Sequence, residues 1–300
     1  MADAIITDVV QEHSRILTAS DVVVDELVII IRDNGLTKEG GTREDIILQM
    51  KYHQCKADSS EGRLEQPQVD GDVEREWRLS GGDHLKELVS IVVESTNVKA
   101  ICVRSHCGAD TLDAIEQFLQ GLCTNHTIVS ARFHLVFRQN TTIDVLDKFA
   151  DMLCHHIGLQ DFSLHLVEYE VGATFARMLR KNSSIKHLDL TSSLTSESDV
   201  QELIRSLVEN HSLETLDLYG CDGVKGSVFP TIMDVLLVNF TLKAIKLHET
   251  PLHAKGKHLA INEQLRRNAM SKELHLKELE MAKPTSARVI FCGSPYAGTS

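Results

Sequence analysis

The chain has 300 residues, of which 42% are hydrophobic and 25% are charged, proportions that exclude a disordered chain, a collagen or a coiled-coil rod. Its 43 acidic and 31 basic residues give a formal net charge of −12, which argues against non-specific binding to nucleic acid or to an anionic membrane. The seven cysteines form no C-x-x-C pair, and neither a signal peptide nor a membrane span is evident, so the sequence predicts a cytoplasmic protein with free thiols.

The N-terminal part of the chain combines an apolar region with a polar one. Residues 1–55 include the run 22–31, which is rich in valine and isoleucine. We expect a helical N-terminal region here, with strands as the alternative because β-branched residues favour them. Residues 56–82 are polar and contain several glycines, which predicts a flexible linker. A short helix ending near residue 92 is then expected to cap the next region.

A short pattern, apolar-x-x-apolar-x-apolar, recurs along the middle of the chain at intervals of about 28 residues. Apolar residues between the copies follow a helical period: Val200, Leu203 and Ile204 share one helix face. A strand followed by a helix cannot bury its apolar face alone, so neighbouring units are expected to stack. The copies begin at Val98, Ile128, Leu159, Ile185, Leu213 and Leu242.

An asparagine stands three residues before four of these copies, at Asn125, Asn182, Asn210 and Asn239. Each one also begins an N-x-S/T sequon, so glycosylation is one interpretation. We favour a helix cap in the left-handed conformation, which asparagine tolerates better than most residues.

The pattern resembles the leucine-rich repeat in its longer, ribonuclease-inhibitor-like form, over about residues 98–250. The resemblance implies an α/β solenoid over residues 83–254, with parallel strands on the concave face and helices on the convex face. The sequence departs from this family after the last strand leucine, where the family prefers Asn or Cys. Cys221 fits that preference, while Ser193 and Thr250 replace it elsewhere, so a weak side-chain ladder is expected.

Residues 255–284 are predicted to form a capping and linker helix, because a terminal repeat needs a polar outer face. His248, His253 and His258 recur at the start of this region and could bind a metal. They have no partner cysteines, and packed or surface histidines are the favoured interpretation, so no metal site is predicted.

Residues 285–300 read as a buried strand that leads into a glycine-rich loop. Gly293, Gly298 and Ser300 match the phosphate-binding pattern G-x-x-x-x-G-K-[ST], but Thr299 replaces its lysine. Repeats followed by such a loop resemble the Roco proteins, in which leucine-rich repeats precede a Ras-like Roc GTPase domain, and in particular the plant-type, TORNADO-like members. The resemblance implies a truncated first strand and a degenerate loop, with no cofactor here and GTP and Mg²⁺ only in a full-length form.

The function expected is that of a non-catalytic protein-binding module, and no catalytic residues are predicted. The Roco resemblance implies intracellular signalling or developmental patterning, and the oligomeric state is left open. A Roc GTPase whose nucleotide domain is cut off, or the sensor region of an NLR-type receptor, are the alternatives. A protein partner is expected on the concave face, through outward-pointing side chains of the repeat strands. These are Asp161, Lys186, His187, Asp189, Glu214, Asp217, Lys243 and Lys246.

Overall fold

The computed structural model describes residues 22–36, 42–54, 73–80, 92–107, 109–137, 144–166 and 171–281. Within these ranges, the strands form one nine-stranded sheet in the order β3-β2-β1-β4-β5-β6-β7-β8-β9. The strands are β1 (Val22–Leu36), β2 (Thr42–Gln54), β3 (Val73–Ser80), β4 (Ala100–Cys107), β5 (Ser130–Phe137), β6 (Asp161–Leu166), β7 (His187–Asp189), β8 (Thr215–Asp217) and β9 (Ala244–Lys246). The helices are α1 (Ala109–Leu122), α2 (Asp144–His155), α3 (Gly172–Lys181), α4 (Glu197–Ser206), α5 (Phe229–Leu236), α6 (Pro251–Ala254) and α7 (His258–Met281).

Strands β4 to β9 run parallel, each is followed by a helix, and the predicted leucine-rich-repeat solenoid is confirmed. The register places Leu188 opposite both Phe162 and Leu216, so equivalent positions of the repeat face each other. Burying one leucine side chain contributes about 1.5–3 kcal/mol, so the shared interior is the main force that stacks the units. The last strand leucines, each at most 3% exposed, are Leu164, Leu190, Leu218 and Leu247.

Four phenylalanines pack together in the part of this interior between β5, β6 and the helices that follow them. Phe133 and Phe149 meet edge to face with ring centroids 4.9 Å apart, and Phe162 stacks on Phe175 at 6.1 Å. All four side chains are fully buried. Because Phe133 and Phe162 come from adjacent strands and the other two from helices α2 and α3, the cluster ties the sheet to its helical layer.

The expected helical N-terminal region is wrong for the described part of residues 1–55, which forms strands. β1 and β2 pair as an antiparallel hairpin, and β1 also pairs in parallel with β4. The physical reason is the density of β-branched residues in β1, together with an unpaired edge on β4 that a strand can cover. Leu27 and Ile29 of β1 are buried as part of the solenoid core. The alternative of strands is the correct one.

The predicted linker, residues 56–82, also contains a strand. β3 pairs antiparallel with β2 and places Trp77 opposite Leu48, so the linker prediction is wrong for residues 73–80. The rest of the linker and the helix expected before residue 92 fall largely outside the described residues.

At the other end of the solenoid, α7 buries Ile261 and Leu265 against the last repeat. Among the residues that the structure describes, no helix combines the length and the apolar character needed to cross a bilayer. The glycine-rich loop with Gly293, Gly298 and Ser300 lies outside the described residues.

A ladder of buried asparagines joins the units where the helices end. The Nδ2 of Asn210 donates to the carbonyls of Leu179 (2.7 Å) and Asn182 (3.1 Å) in the preceding unit. Its Oδ1 accepts from the backbone N–H groups of Ser212 and Leu213. The amide groups of these asparagines are buried and hydrogen-bonded, which fits their interpretation as helix caps. No amide of this set is therefore exposed for glycosylation. The asparagine members at helix ends are Asn125, Asn182, Asn210 and Asn239, and Asn268 makes the equivalent contacts from within α7.

The left-handed conformation expected at these asparagines is wrong. Asn182 has φ −73° and ψ 134°, which is extended backbone. The side chain, not a positive φ, satisfies the end of the helix. Positive φ values occur instead two residues after the last strand leucine of three repeats, at Ser192, Gly220 and Glu249.

A second set of side chains follows the strands, at the positions where a weak ladder was expected. Ser193 donates to the carbonyl of Leu164 and accepts from the N–H of Leu166, both at 3.0 Å. Cys221 donates to the carbonyl of Leu190 at 3.2 Å. These two residues therefore link their repeats to the preceding ones, although neither is an asparagine.

Candidate protein-binding face

The outward-pointing residues of the parallel strands form rows across the concave face. One row runs through Asp161, His187 and Thr215, which are direct partners in the sheet register. The next row runs through Ser163, Asp189, Asp217 and Lys246. A third row lies just before the strands and consists of Lys186, Glu214 and Lys243, whose charges alternate. Backbone hydrogen bonds align this row: the N–H of Glu214 donates to the carbonyl of Lys186, and the N–H of Lys243 donates to the carbonyl of Glu214.

Opposite charges on neighbouring strands form pairs within these rows. The Nζ of Lys243 lies 2.6 Å from the Oε2 of Glu214, and the hydrogen bond lowers the pKa of this carboxyl group. The Nζ of Lys246 lies 2.9 Å from the Oδ2 of Asp217, which raises the pKa of the lysine. The charges on this face are therefore partly matched across neighbouring strands.

Two of the predicted binding residues also shape the backbone. The Oδ1 of Asp189 accepts from the N–H and the hydroxyl of Thr191, at 2.9 and 2.6 Å. In the next repeat, the Oδ1 of Asp217 accepts from the N–H of Tyr219 at 3.0 Å. An aspartate that bonds the N–H two residues later forms an Asx-turn, so these carboxylates fix how each strand ends.

Sequence reasoning missed the basic side of the face. Arg104, His134 and His165 are direct partners in the register of β4, β5 and β6, and the two histidine rings lie 5.7 Å apart. Burial lowers the pKa of His134, and the charges of Arg104 and His165 lower it further. The signal was present in the sequence, because the repeat that begins at Ile128 places Arg132 and His134 at outward positions.

The face contains a shallow depression of about 430 Å³ between the middle strands. Charged groups of both signs line it, together with hydroxyls, so it is suited to a polar partner and not to an apolar ligand. Its polar lining comes from Ser130, Arg132, Asp161, Ser163, His187, Asp189, Thr215, Asp217 and Lys246.

The three candidate metal histidines lie next to each other. The ring centroids of His248 and His253 are 4.8 Å apart with planes tilted by 49°, and those of His253 and His258 are 4.0 Å apart with planes 25° from parallel. The stacked rings of His253 and His258 lie face to face, whereas the nitrogens of metal ligands must converge on one point. In the described part of the chain, no three His, Cys, Asp or Glu side chains are placed to hold a metal ion.

No protein-family model matches the chain. A segment of 129 residues, 41% of the chain, is 31% identical to Protein TORNADO 1 of Arabidopsis thaliana, and the match spans only 9% of that protein.

Two solved structures are similar to parts of the chain. The leiomodin-1 actin-binding site 2 structure is 22% identical, with a TM-score of 0.40, covering 48% of this chain and 84% of that one. The tropomodulin C-terminal domain of Caenorhabditis elegans is 12% identical, with a TM-score of 0.40, covering 56% of this chain and 98% of that one.

Proposed function

We propose that the chain is a non-catalytic scaffold that binds a protein partner on the concave face of its repeat sheet. The observation that carries the proposal is that the eight predicted residues lie in aligned rows along β6 to β9 and the positions just before them. Parallel strands of a solenoid present such rows as one extended surface, which suits a partner of comparable size.

The charges on this face contribute more to recognition than to folding. Exposed ion pairs typically stabilise a fold by only about 0–1 kcal/mol. The side chains of Lys243 and Lys246 are 63% and 56% exposed, so both ammonium groups stay accessible beside their carboxylates. The partner that fits has charges of alternating sign, which would set its orientation and accelerate its association.

The broader context that we propose is a Roco-type protein of intracellular signalling. The similarity to Protein TORNADO 1 favours it, as does the loop that carries Gly293, Gly298 and Ser300. On this proposal, GTP binding belongs to a longer form of the protein. Micromolar binding of GTP with Mg²⁺ by the present chain would favour the second candidate, a GTPase.

Charge reversal on the concave face tests the binding proposal. The variant Lys186→Glu, Lys243→Glu, Lys246→Glu is compared with Lys148→Glu, Arg177→Glu, Arg180→Glu, which changes the net charge equally on helices α2 and α3. We expect proximity labelling in cells to lose a set of partner proteins with the first variant and to keep that set with the second. Circular dichroism and thermal unfolding establish that both variants are folded.

Either of two results would contradict the proposal. One is a partner set that the concave-face variant keeps in full. The other is an equal loss of partners from both variants, which would mean that net charge, and not the concave face, governs association.

A further inference from the structure

The asparagine ladder contains one position that is not an asparagine. His156 follows α2 and occupies the place that Asn182 and Asn210 occupy in the next two repeats. Its side chain is only 2% exposed. The Nε2 lies 3.0 Å from the carbonyl oxygen of Asn125, so His156 reaches the preceding unit in the same way as an asparagine Nδ2 does.

The hydrogen bonds of His156 determine its tautomer. Its Nδ1 accepts from the backbone N–H groups of Gly158 (3.1 Å) and Leu159 (2.9 Å). A neutral imidazole has one donor and one acceptor nitrogen, so Nε2 carries the hydrogen and donates to Asn125. If the ring took up a second proton, that proton would bind to Nδ1 and point at these two N–H donors. Both hydrogen bonds to Nδ1 would then break. An asparagine at the same place keeps its donor and its acceptor at any ordinary pH.

The surroundings of His156 also disfavour its charged form. Burial lowers its pKa, the carbonyl of Asn125 opposes this, and the neighbouring His126 lowers it further. The ring of His126 faces it from the preceding repeat, with centroids 6.1 Å apart. The following repeat contributes Asn182, whose Nδ2 donates to the carbonyl of Leu153, and Ser184, whose hydroxyl donates to the carbonyl of His156; neither side chain titrates. Among the described residues, the groups that shift the pKa of His156 include no carboxylate.

We propose that the solenoid has an acid-sensitive joint at the turn that leads from α2 into β6, and that proton uptake by His156 opens this turn. The proton displaces the N–H groups of Gly158 and Leu159 from Nδ1, while Nε2 keeps its bond to Asn125 in the preceding unit. Below the ordinary histidine pKa of 6.5, the opened state binds the proton and the closed state does not. The opening constant therefore rises up to about tenfold per pH unit until the folded pKa is reached.

Backbone hydrogen exchange measures this opening directly. We expect the protection of the Gly158 and Leu159 amides, corrected for intrinsic exchange, to fall several-fold in the wild type between about pH 7.5 and about pH 5.5. The His156→Asn variant, which restores an asparagine to the ladder, should keep its protection over the same range. The matched control His155→Asn removes the exposed neighbouring histidine and should behave like the wild type.

Equal pH dependence in the wild type and in His156→Asn would overturn the proposal. If His156→Asn fails to fold, ring ¹⁵N spectra of the wild type decide instead. They should show the Nε2–H tautomer of His156 at neutral pH and a titration of this ring below the ordinary histidine pKa. A ring that carries its hydrogen on Nδ1, or one that is already charged at neutral pH, would contradict the joint.

Discussion

At the scale of single residues, the turn after each strand imposes one unusual backbone conformation. Ser192, Gly220 and Glu249 occupy the same place in three repeats and have φ values of 55°, 64° and 57°. The left-handed region costs a residue with a Cβ about 1–2 kcal/mol. Only the middle repeat of the three avoids this cost, because it uses glycine.

Replacement of this glycine should be expensive. Gly220→Ala adds a Cβ at positive φ and places it 2.8 Å from the Oγ of Ser192, so we expect a loss of about 1–2 kcal/mol in the free energy of unfolding in urea. Gly226→Ala is the control, because its Cβ would meet only the flexible ends of Lys255 and Lys257. A change at Gly226 as large as that at Gly220 would show that the backbone conformation is not the cause.

At the scale of elements, the asparagine ladder holds each helix end against the preceding repeat. Asn210→Ala removes two donated and three accepted hydrogen bonds of a residue that is 2% exposed. Because buried groups left without a partner cost about 1–3 kcal/mol, we expect a loss of about 3 kcal/mol in unfolding free energy. His211→Ala, at the exposed next position, should change it by less than about 0.5 kcal/mol.

The Asn210→Asp variant separates the contribution of the donated hydrogen bonds to the preceding repeat from that of the accepted bonds in the local turn. It keeps the acceptor oxygen for Ser212 and Leu213 but replaces the donor to Leu179 and Asn182. A stability equal to that of wild type would mean that the ladder between repeats contributes nothing and that only the local turn matters.

Elements differ in how much of their structure the sequence predicts. The strands and helices of the repeats were predictable because each copy contains both the apolar pattern and the helix that covers it. β1 was not predictable, because its conformation depends on pairing with β4, about 70 residues away. Its valine and isoleucine content favours a strand but does not indicate which strand it pairs with. On the concave face, alternation predicted which side chains point outward, but not the Asx-turns of Asp189 and Asp217.

At the scale of the whole molecule, the repeats begin at β4, and the first three strands cover that edge. An uncovered strand edge is a template for pairing with other chains. β1 is the only strand that contacts both β2 and β4 among the described strands, so it decides whether the edge stays covered. The N-terminal hairpin therefore takes the part of a terminal cap.

A proline in β1 should uncover the edge. Val28 lies between Gln49 of β2 and Cys102 of β4, so Val28→Pro removes a ladder hydrogen bond in a central strand at a cost of about 1–3 kcal/mol. We expect lower stability in urea and concentration-dependent self-association in light scattering. Glu76→Pro, in the outermost described strand β3, is the control and should leave the protein monodisperse. Self-association of both variants alike would argue against β4 as the exposed edge.

The asparagine ladder also makes the repeats interchangeable parts. The segment 183–210 begins just after one ladder asparagine and ends on the next, so both of its ends present the same joint. A duplicate spliced in at this point should fold as one more rung and lengthen the molecule by about one strand spacing, roughly 4.8 Å. The length of the sheet surface offered to a partner can thus be changed by adding or removing whole repeats, without redesign of the protein's interior.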